Sequence, residues 1–448
     1  MKKIAHTFTS LLTGLVCLLT ASVATALDYS ASLNFDAESQ GDGRLDGTGR
    51  SEVVTRSGID LEVSQDNPGL QLRGDYSYRF EHYENDTNSD RSSANGSSEL
   101  VATLLEQRLS WLASHEISDI SASRRDAADI GDDKRRRQQI STGPLITLPF
   151  SRADSVVLSA SYSKIFVDDA NNASLNTGNS DSDLVSANLN WQRALSPISQ
   201  LRAGYQFQDF EREGIDQSTE FQRVYASFSR SLRLLSYNLT LGSNSSKSGS
   251  SRSNNGAFYQ ADISRDDGAT QFSASASRQR SESSIGLSGL RFDTALSVPD
   301  AGDLGAGLTQ ENSNIQGEVD ITFFDLDYRS TVNCRRCSYG AELSFAKNEY
   351  ETNAAADDEV SSARLFFNYN LTRHTTLEIN TDYSRTEFKI DGAQDDNSGG
   401  SLYLNWNATP NLRIELGGGY DQEEADTGAN YYNTYGSLGL QYDLFKRN

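Results

Sequence analysis

"NPGLQLRGDYSYRFEHYEN" spans Asn67 to Asn85 and decides the fold. After the turn residues Asn67, Pro68 and Gly69, one set of positions reads Leu70, Leu72, Gly74, Tyr76, Tyr78 and Phe80. The interleaved set reads Gln71, Arg73, Asp75, Ser77, Arg79 and Glu81. A period of two puts these sets on opposite faces of an extended strand. The segment is also well longer than the roughly 5–6 residues of an ordinary globular strand. A long strand that is apolar and aromatic on one side and charged on the other suits a wall between lipid and water.

The pattern recurs along the chain. Val156, Leu158, Ala160 and Tyr162 alternate with Val157, Ser159, Ser161 and Ser163. Val185, Ala187, Leu189 and Trp191 alternate with Ser186, Asn188, Asn190 and Gln192. Leu201, Ala203, Tyr205 and Phe207 alternate with Arg202, Gly204, Gln206 and Gln208. Leu412, Ile414, Leu416, Gly418 and Tyr420 alternate with Arg413, Glu415, Gly417, Gly419 and Asp421. Hydrophobic residues make up only 36% of the chain, yet it holds 20 Tyr and 19 Phe, and the polar residues keep register. Disorder explains a polar composition but not that register.

The connections carry a second signal. Short turns fall at Asp66–Gly69, Ser151–Asp154, Ser196–Ser199, Arg265–Gly268, Thr372–Thr375 and Thr409–Asn411, with residues suited to tight reversal. Longer polar stretches lie between them, among them "NDTNSDRSSANGSS" (Asn85–Ser98), "DDANNASLNTGNSDSD" (Asp168–Asp183) and "DGAQDDNSGG" (Asp391–Gly400). Ten candidate outer loops lie near 38–50, 85–97, 127–133, 168–181, 212–218, 245–255, 281–311, 351–359, 391–399 and 423–430. Short and long connections alternate, so all short ones share one edge, as in an outer-membrane barrel with short periplasmic turns. The expected fold is all-β: a transmembrane, antiparallel, up-and-down barrel of about 16–20 strands. Pro144 sits inside one expected strand, where it removes a ladder donor.

The N-terminus reads as an export signal. Lys2 and Lys3 precede the apolar run Leu11–Thr20, and Ala24-Thr25-Ala26 offers a cleavage site, so residues 1–26 form the expected signal peptide and 27–448 the barrel. The formal charge of −22 becomes −24 once Lys2 and Lys3 leave, an acidity that disfavours nucleic acid. The last stretch, with Ser437, Gly439, Tyr442 and Leu444 before Phe445, resembles the C-terminal signal read by the barrel-assembly machinery. Lys446, Arg447 and Asn448 extend past its usual end.

The stretch "RQQISTGPLITLPFSRADSVVLSASYSKIFVDD" (Arg137–Asp169) resembles a segment of the β-barrel porin-2 group of outer-membrane proteins, nearest to those associated with exosortase (PEP-CTERM) systems. The likeness rests on Gly143-Pro144 and on Tyr162-Ser163-Lys164. It implies an envelope role linked to exopolysaccharide export and carries over no catalytic residue.

Several constellations invite roles. Arg73, Asp75, Arg79, Glu81, Arg202, Arg413 and Glu415 belong to the polar face and are expected to line the lumen, where mixed signs set a transverse field. The bland alternative is mutual pairing that stiffens a wide barrel. Cys334 and Cys337 flank Arg335-Arg336 at a predicted turn. The ends of a β-turn lie within about 7 Å, which suits a disulfide clamp. Arg124, Arg125, Lys134, Arg135, Arg136 and Arg137 surround an acidic tip; on an outer rim they would meet lipopolysaccharide phosphates, or merely solvent. The 281–311 loop carries Ile285, Leu287, Leu290, Phe292 and Leu296, more apolar than a solvated loop needs, so it is expected either to fold into the barrel or to cap its rim.

No cofactor or metal is expected. His82, His115 and His374 are scattered, with His115 and His374 placed at short turns, which leaves a hydrolytic barrel without a triad. The expectation is therefore a porin-like channel for polar solutes, or an export conduit, in the outer membrane of a Gram-negative bacterium. Its partners would be outer-membrane lipid, lipopolysaccharide and polysaccharide export components. A non-conducting structural or assembly barrel is the rival.

Overall fold

The computed structural model describes residues 27–41, 51–85, 90–106, 108–121, 134–167, 181–212, 218–248, 254–282, 318–351, 357–389, 392–426 and 430–447. The expected signal peptide, most of the 281–311 loop, and Arg124 and Arg125 lie outside the described residues.

The described chain is a succession of long strands. The first ten are β1 (Asp28–Gln40), β2 (Glu52–Asn67), β3 (Leu70–Tyr83), β4 (Arg91–Leu105), β5 (Leu109–Ser121), β6 (Lys134–Pro149), β7 (Asp154–Val167), β8 (Ser182–Ser196), β9 (Ser199–Arg212) and β10 (Ser218–Ser231). The second ten are β11 (Leu235–Ser248), β12 (Asn254–Asp266), β13 (Thr270–Glu282), β14 (Glu318–Ser330), β15 (Cys337–Tyr350), β16 (Asp358–Asn370), β17 (Thr375–Phe388), β18 (Gln394–Thr409), β19 (Leu412–Ala425) and β20 (Tyr431–Arg447). Each pairs antiparallel with the next, and β1 also pairs with β20, which closes a 20-stranded sheet. Closure leaves no free edge, so every strand finds backbone partners on both sides. The fold is the expected all-β, up-and-down barrel.

Register fixes which face each side chain takes. On β8, Val185 and Leu189 are exposed, whereas Ser186, Asn188 and Asn190 of the alternate set are buried. Side chains on the concave face of a barrel converge and those on the convex face diverge. The buried polar set therefore faces the lumen and the exposed apolar set faces outward. The same division gives exposed Leu33 and Phe35 on β1, Leu402 and Trp406 on β18, and Leu438, Leu440 and Tyr442 on β20. In the opening stretch Tyr78 and Phe80 are exposed as expected, but Leu72 is buried and Tyr76 half-buried.

Three expectations about boundaries and positions need correction. Residues 91–98 belong to β4 rather than to a loop, and 394–400 belong to β18. Both segments are rich in Ser, Asn, Asp and Gly, whose turn preference yields to pairing on both sides in a closed sheet. Gly96 makes this possible: its φ of 154° and the 2.7 Å that would separate an added Cβ from the Tyr76 backbone suit glycine alone. His115 lies in the middle of β5, not at a turn, and its Nδ1 is 2.8 Å from the Tyr76 hydroxyl, which also donates to Ser98 at 2.7 Å. On an outward face such polar groups must satisfy one another.

Pro144 stays inside β6, opposite Trp111 of β5. On its other side the β6–β7 pairing skips Gly143 and Pro144 and resumes in the same register. An added Cβ on Gly143 would lie 1.8 Å from the Ala160 carbonyl oxygen. The gap thus absorbs the missing donor, and glycine permits the close approach.

Candidate functional site: a lumen with two kinds of wall

The lumen-facing side chains fall into two arcs. From β14 through β20 and on to β4 the wall is a mosaic of carboxylates and arginines. Arg56 reaches Asp36 at 2.9 Å, Glu38 at 2.7 Å and Glu81 at 3.3 Å, joining β1, β2 and β3 near the loop end. Arg91 adds a further contact to Glu81. Arg79 meets Asp60 at 3.1 Å. On the far side of the arc, Arg329 bridges Asp327 (3.3 Å) and Glu342 (3.2 Å), and Arg364 approaches Glu342 at 3.7 Å. Arg413 donates to Asn405 at 2.7 Å and lies 3.7 Å from Glu415.

Acids outnumber bases on this arc, and several have no ion-pair partner among the described residues: Asp75, Asp325, Asp382 and Asp421. Asp382 and Asp421 flank Gly399 across β18, each with a carboxylate oxygen 2.9 Å from where a Cβ on that glycine would stand. The missing side chain lets two like charges converge toward the lumen. Nearby, the Tyr403 and Tyr435 hydroxyls lie 3.3 Å apart, and Gly417 and Gly419 leave room for their rings.

From β7 to β13 the wall is almost free of charge. Asn188 donates to the Ser159 hydroxyl at 3.2 Å, Ser161 and Ser186 share a hydroxyl bond, and Tyr225 donates its hydroxyl to Asn190. Gly204 leaves space for the Tyr225 ring. Arg223 lies 4.2 Å from the centre of the Phe258 ring and donates to Gln206 at 3.3 Å, a stacked guanidinium held flat on the wall. Asp262 accepts from Asn238 at 3.2 Å and Gln260 at 3.0 Å. Small apolar clusters interrupt it: Ile165, Leu184 and Phe210 at the loop end of this arc, and, where β7 meets β6 and β5 at the turn end, Val157 with Leu145 and Leu112.

The register places Arg73, Asp75, Arg79, Glu81, Arg413 and Glu415 on the charged arc and Arg202 on the neutral one, opposite Gln192 of β8. Sequence reading missed Arg56, the hub of the loop-end network, because the alternation of β2 is broken by apolar Val54 on the inward face and by polar Thr55 and Ser57 on the outward one. It also passed over Glu378 and Asp382 of β17, and it placed Asp421 on the polar face with Arg413 and Glu415 without counting it among the lumen candidates.

Of the expected basic rim cluster, Arg136 and Arg137 alone have side chains among the described residues; those of Arg124, Arg125, Lys134 and Arg135 lie outside them. Arg136 and Arg137 are adjacent in β6 and point to opposite faces. Arg136 pairs with Asp119 at 2.9 Å, whereas Arg137 is buried and donates to Gln139 at 2.8 Å. Cys334 and Cys337 are bonded across the β14–β15 turn, with Cα atoms 5.3 Å apart. With Thr331, Asn333, Arg335, Arg336, Ser338, Asn368 and Asn370 they line an open cavity of about 740 Å³. Asn333 turns the chain there with φ of 63°, the left-handed region that asparagine tolerates.

No protein-family model and no curated protein sequence matches the chain. Among solved structures, it is similar to the FrpB iron transporter from Neisseria meningitidis at 10% identity and a TM-score of 0.48, covering 93% of this chain and 81% of that one. It is similar to OccK2 of Pseudomonas aeruginosa at 9% identity and 0.39, covering 93% and 98%. It is similar to a loop-deletion mutant of OmpT, an outer-membrane protein of Vibrio cholerae, at 11% identity and 0.35, covering 94% and 100%. Scores and identities this low carry no argument about what this chain does.

Proposed function

We propose that the chain is an outer-membrane channel of a Gram-negative envelope that passes polar solutes and favours cations over anions. One observation carries this: a closed 20-stranded ring exposes aliphatic and aromatic side chains outward while its inward face is mostly polar, with small apolar clusters among the amides, hydroxyls and charges. Hydrocarbon accepts only structures whose backbone groups are all paired, and a closed barrel meets that demand. Barrels of about 16 strands or more are wide enough to hold water. The acid excess on one arc supplies a field that draws cations and repels anions.

The C-terminal strand supports recognition by the barrel-assembly machinery, and the outward-facing aromatic and aliphatic side chains support seating in lipid and lipopolysaccharide. The link to polysaccharide export rests on the resemblance of Arg137–Asp169 alone. A purely structural barrel in such an export system is the competing reading, and conduction separates the two. Reconstitution into liposomes with graded neutral sugars, together with planar-bilayer recording, tests the proposal. Swelling and discrete openings are expected; a sealed, silent barrel would overturn the channel.

A further inference from the structure

The short turns hold a feature that the channel does not use. After β6, Phe150 is 69% exposed beside exposed Arg152. After β10, the turn is Leu232-Arg233-Leu234, with all three exposed. After β16, exposed Leu371 stands two residues from exposed Arg373. The same pairing of an exposed apolar residue with arginine recurs after β4 (Leu105, Arg108) and β14 (Val332, Arg335); the turn after β8 exposes Ile198 without an arginine, and the pairing is absent from the tight polar turns after β2, β12 and β18. Arg152, Arg233 and Arg373 have no carboxylate partner among the described residues. Scattered exposed leucines need no explanation, but their repetition beside unpaired guanidinium groups, in a chain of net charge −22, does.

We infer that these turns form an amphipathic collar that seats in the periplasmic leaflet and binds the phosphate groups of anionic phospholipids. The inference rests on the reading that the strands cross the outer membrane. Two chemistries coincide in each turn. The apolar side chain reaches the acyl boundary, and the arginine beside it snorkels to the headgroup, where it offers bidentate hydrogen bonds to a phosphate. A soluble acidic protein would satisfy the arginines but leaves Phe150 and the leucines without reason to stand outward. A lipid leaflet accounts for both halves of the motif and for its position at the ends of the strands.

The test uses the whole chain folded into phosphatidylcholine vesicles that hold a minor share of phosphatidylglycerol. Spin-labelled forms of each lipid report how much of each is motionally restricted against the protein. Wild type is expected to restrict phosphatidylglycerol several-fold more than phosphatidylcholine at low salt. The triple variant Arg152→Gln, Arg233→Gln, Arg373→Gln should lose that preference by roughly fivefold or more. The matching Arg→Lys triple should keep most of it, and salt should weaken it.

Equal restriction of the two lipids by wild type, or an unchanged preference in the Gln triple, overturns the collar. So does binding of soluble polyglutamate to the inserted protein in place of any lipid preference. Insertion is read separately by resistance of the strands to trypsin. A chain that fails to insert sinks the membrane reading itself, whereas one that inserts without preferring phosphatidylglycerol sinks only the collar.

Discussion

The two arcs of the lumen wall solve the same problem by different chemistry. Both must present a polar face to the interior from strands whose other face is apolar. The arc from β7 to β13 does so with amides and hydroxyls that bond to one another, as in Asn188 with Ser159 and Tyr225 with Asn190. The arc from β14 to β4 does so with charge, and keeps more acid than base. Neutral pairs stiffen a wall at little electrostatic cost. An acid excess costs self-repulsion, which a structural barrel has no reason to bear and a cation-preferring pore does.

The contrast is broken most severely by confusing the two faces. Leu416 is 51% exposed on the outward face of β19, and its neighbour Glu415 faces the lumen. Leu416→Arg should lower stability in vesicles by about 2–4 kcal/mol, whereas Glu415→Gln should change it by less than about 1 kcal/mol. Urea unfolding of the reconstituted variants measures both. Similar losses would mean that the inward and outward faces have been assigned wrongly.

Packing gives the next largest effect. An added Cβ on Gly417 would lie 2.3 Å from the Tyr403 ring. Gly417→Ala should cost about 1–3 kcal/mol, and Tyr403→Leu in the same chain should recover part of it. The Cys334–Cys337 bond closes a loop of few residues, so losing it should cost at most about 2 kcal/mol. Comparing melting with and without reductant checks this, and a reactive thiol in the unreduced protein would contradict the bond.

Asp382→Asn with Asp421→Asn sharpens the comparison without disturbing the fold. Removing the convergent carboxylates from the charged arc should reduce cation preference measurably, while conductance to neutral sugars stays within about twofold. An equal loss from substituting amides of the neutral arc, such as Asn238→Ala, would erase the distinction.

The smallest effect concerns the β12–β13 turn, where Asp267 accepts from the backbone N–H of Thr270 at 2.8 Å and of Ala269 at 3.1 Å. These bonds hold its carboxyl below the usual carboxylate range, the Thr270 contact contributing most. A depressed folded value stabilises above the unfolded one, and that contribution is lost as pH falls through the folded value. The turn should therefore loosen below about pH 4 and be insensitive to pH above about 5. Amide exchange at Thr270 reads this directly, and Asp267→Asn should abolish the dependence.

The long alternating strands and the shared edge of short turns were legible because a closed barrel imposes period two everywhere and reverses tightly at one end. Phe80, Leu189 and Leu416 declare their face by type alone. The strand starts at Arg91 and Gln394 were not legible, because Ser, Asn and Gly there carry turn preference that pairing on both sides overrides. His115 was misplaced for the same reason: its surroundings in sequence do not show that Tyr76 and Ser98 await it across two neighbouring strands. The charged residues of the lumen were partly readable from single strands. Their division into two arcs emerges only from strand order, since Asp382 and Asp421 converge across Gly399 from strands on either side.

The most direct test of the central claim is the reversal potential of single channels in a planar bilayer under a potassium chloride gradient. Discrete openings with a potential displaced toward that of potassium are predicted. Openings that favour chloride would contradict the charged arc, and a membrane that stays silent with the folded protein inserted would contradict the channel.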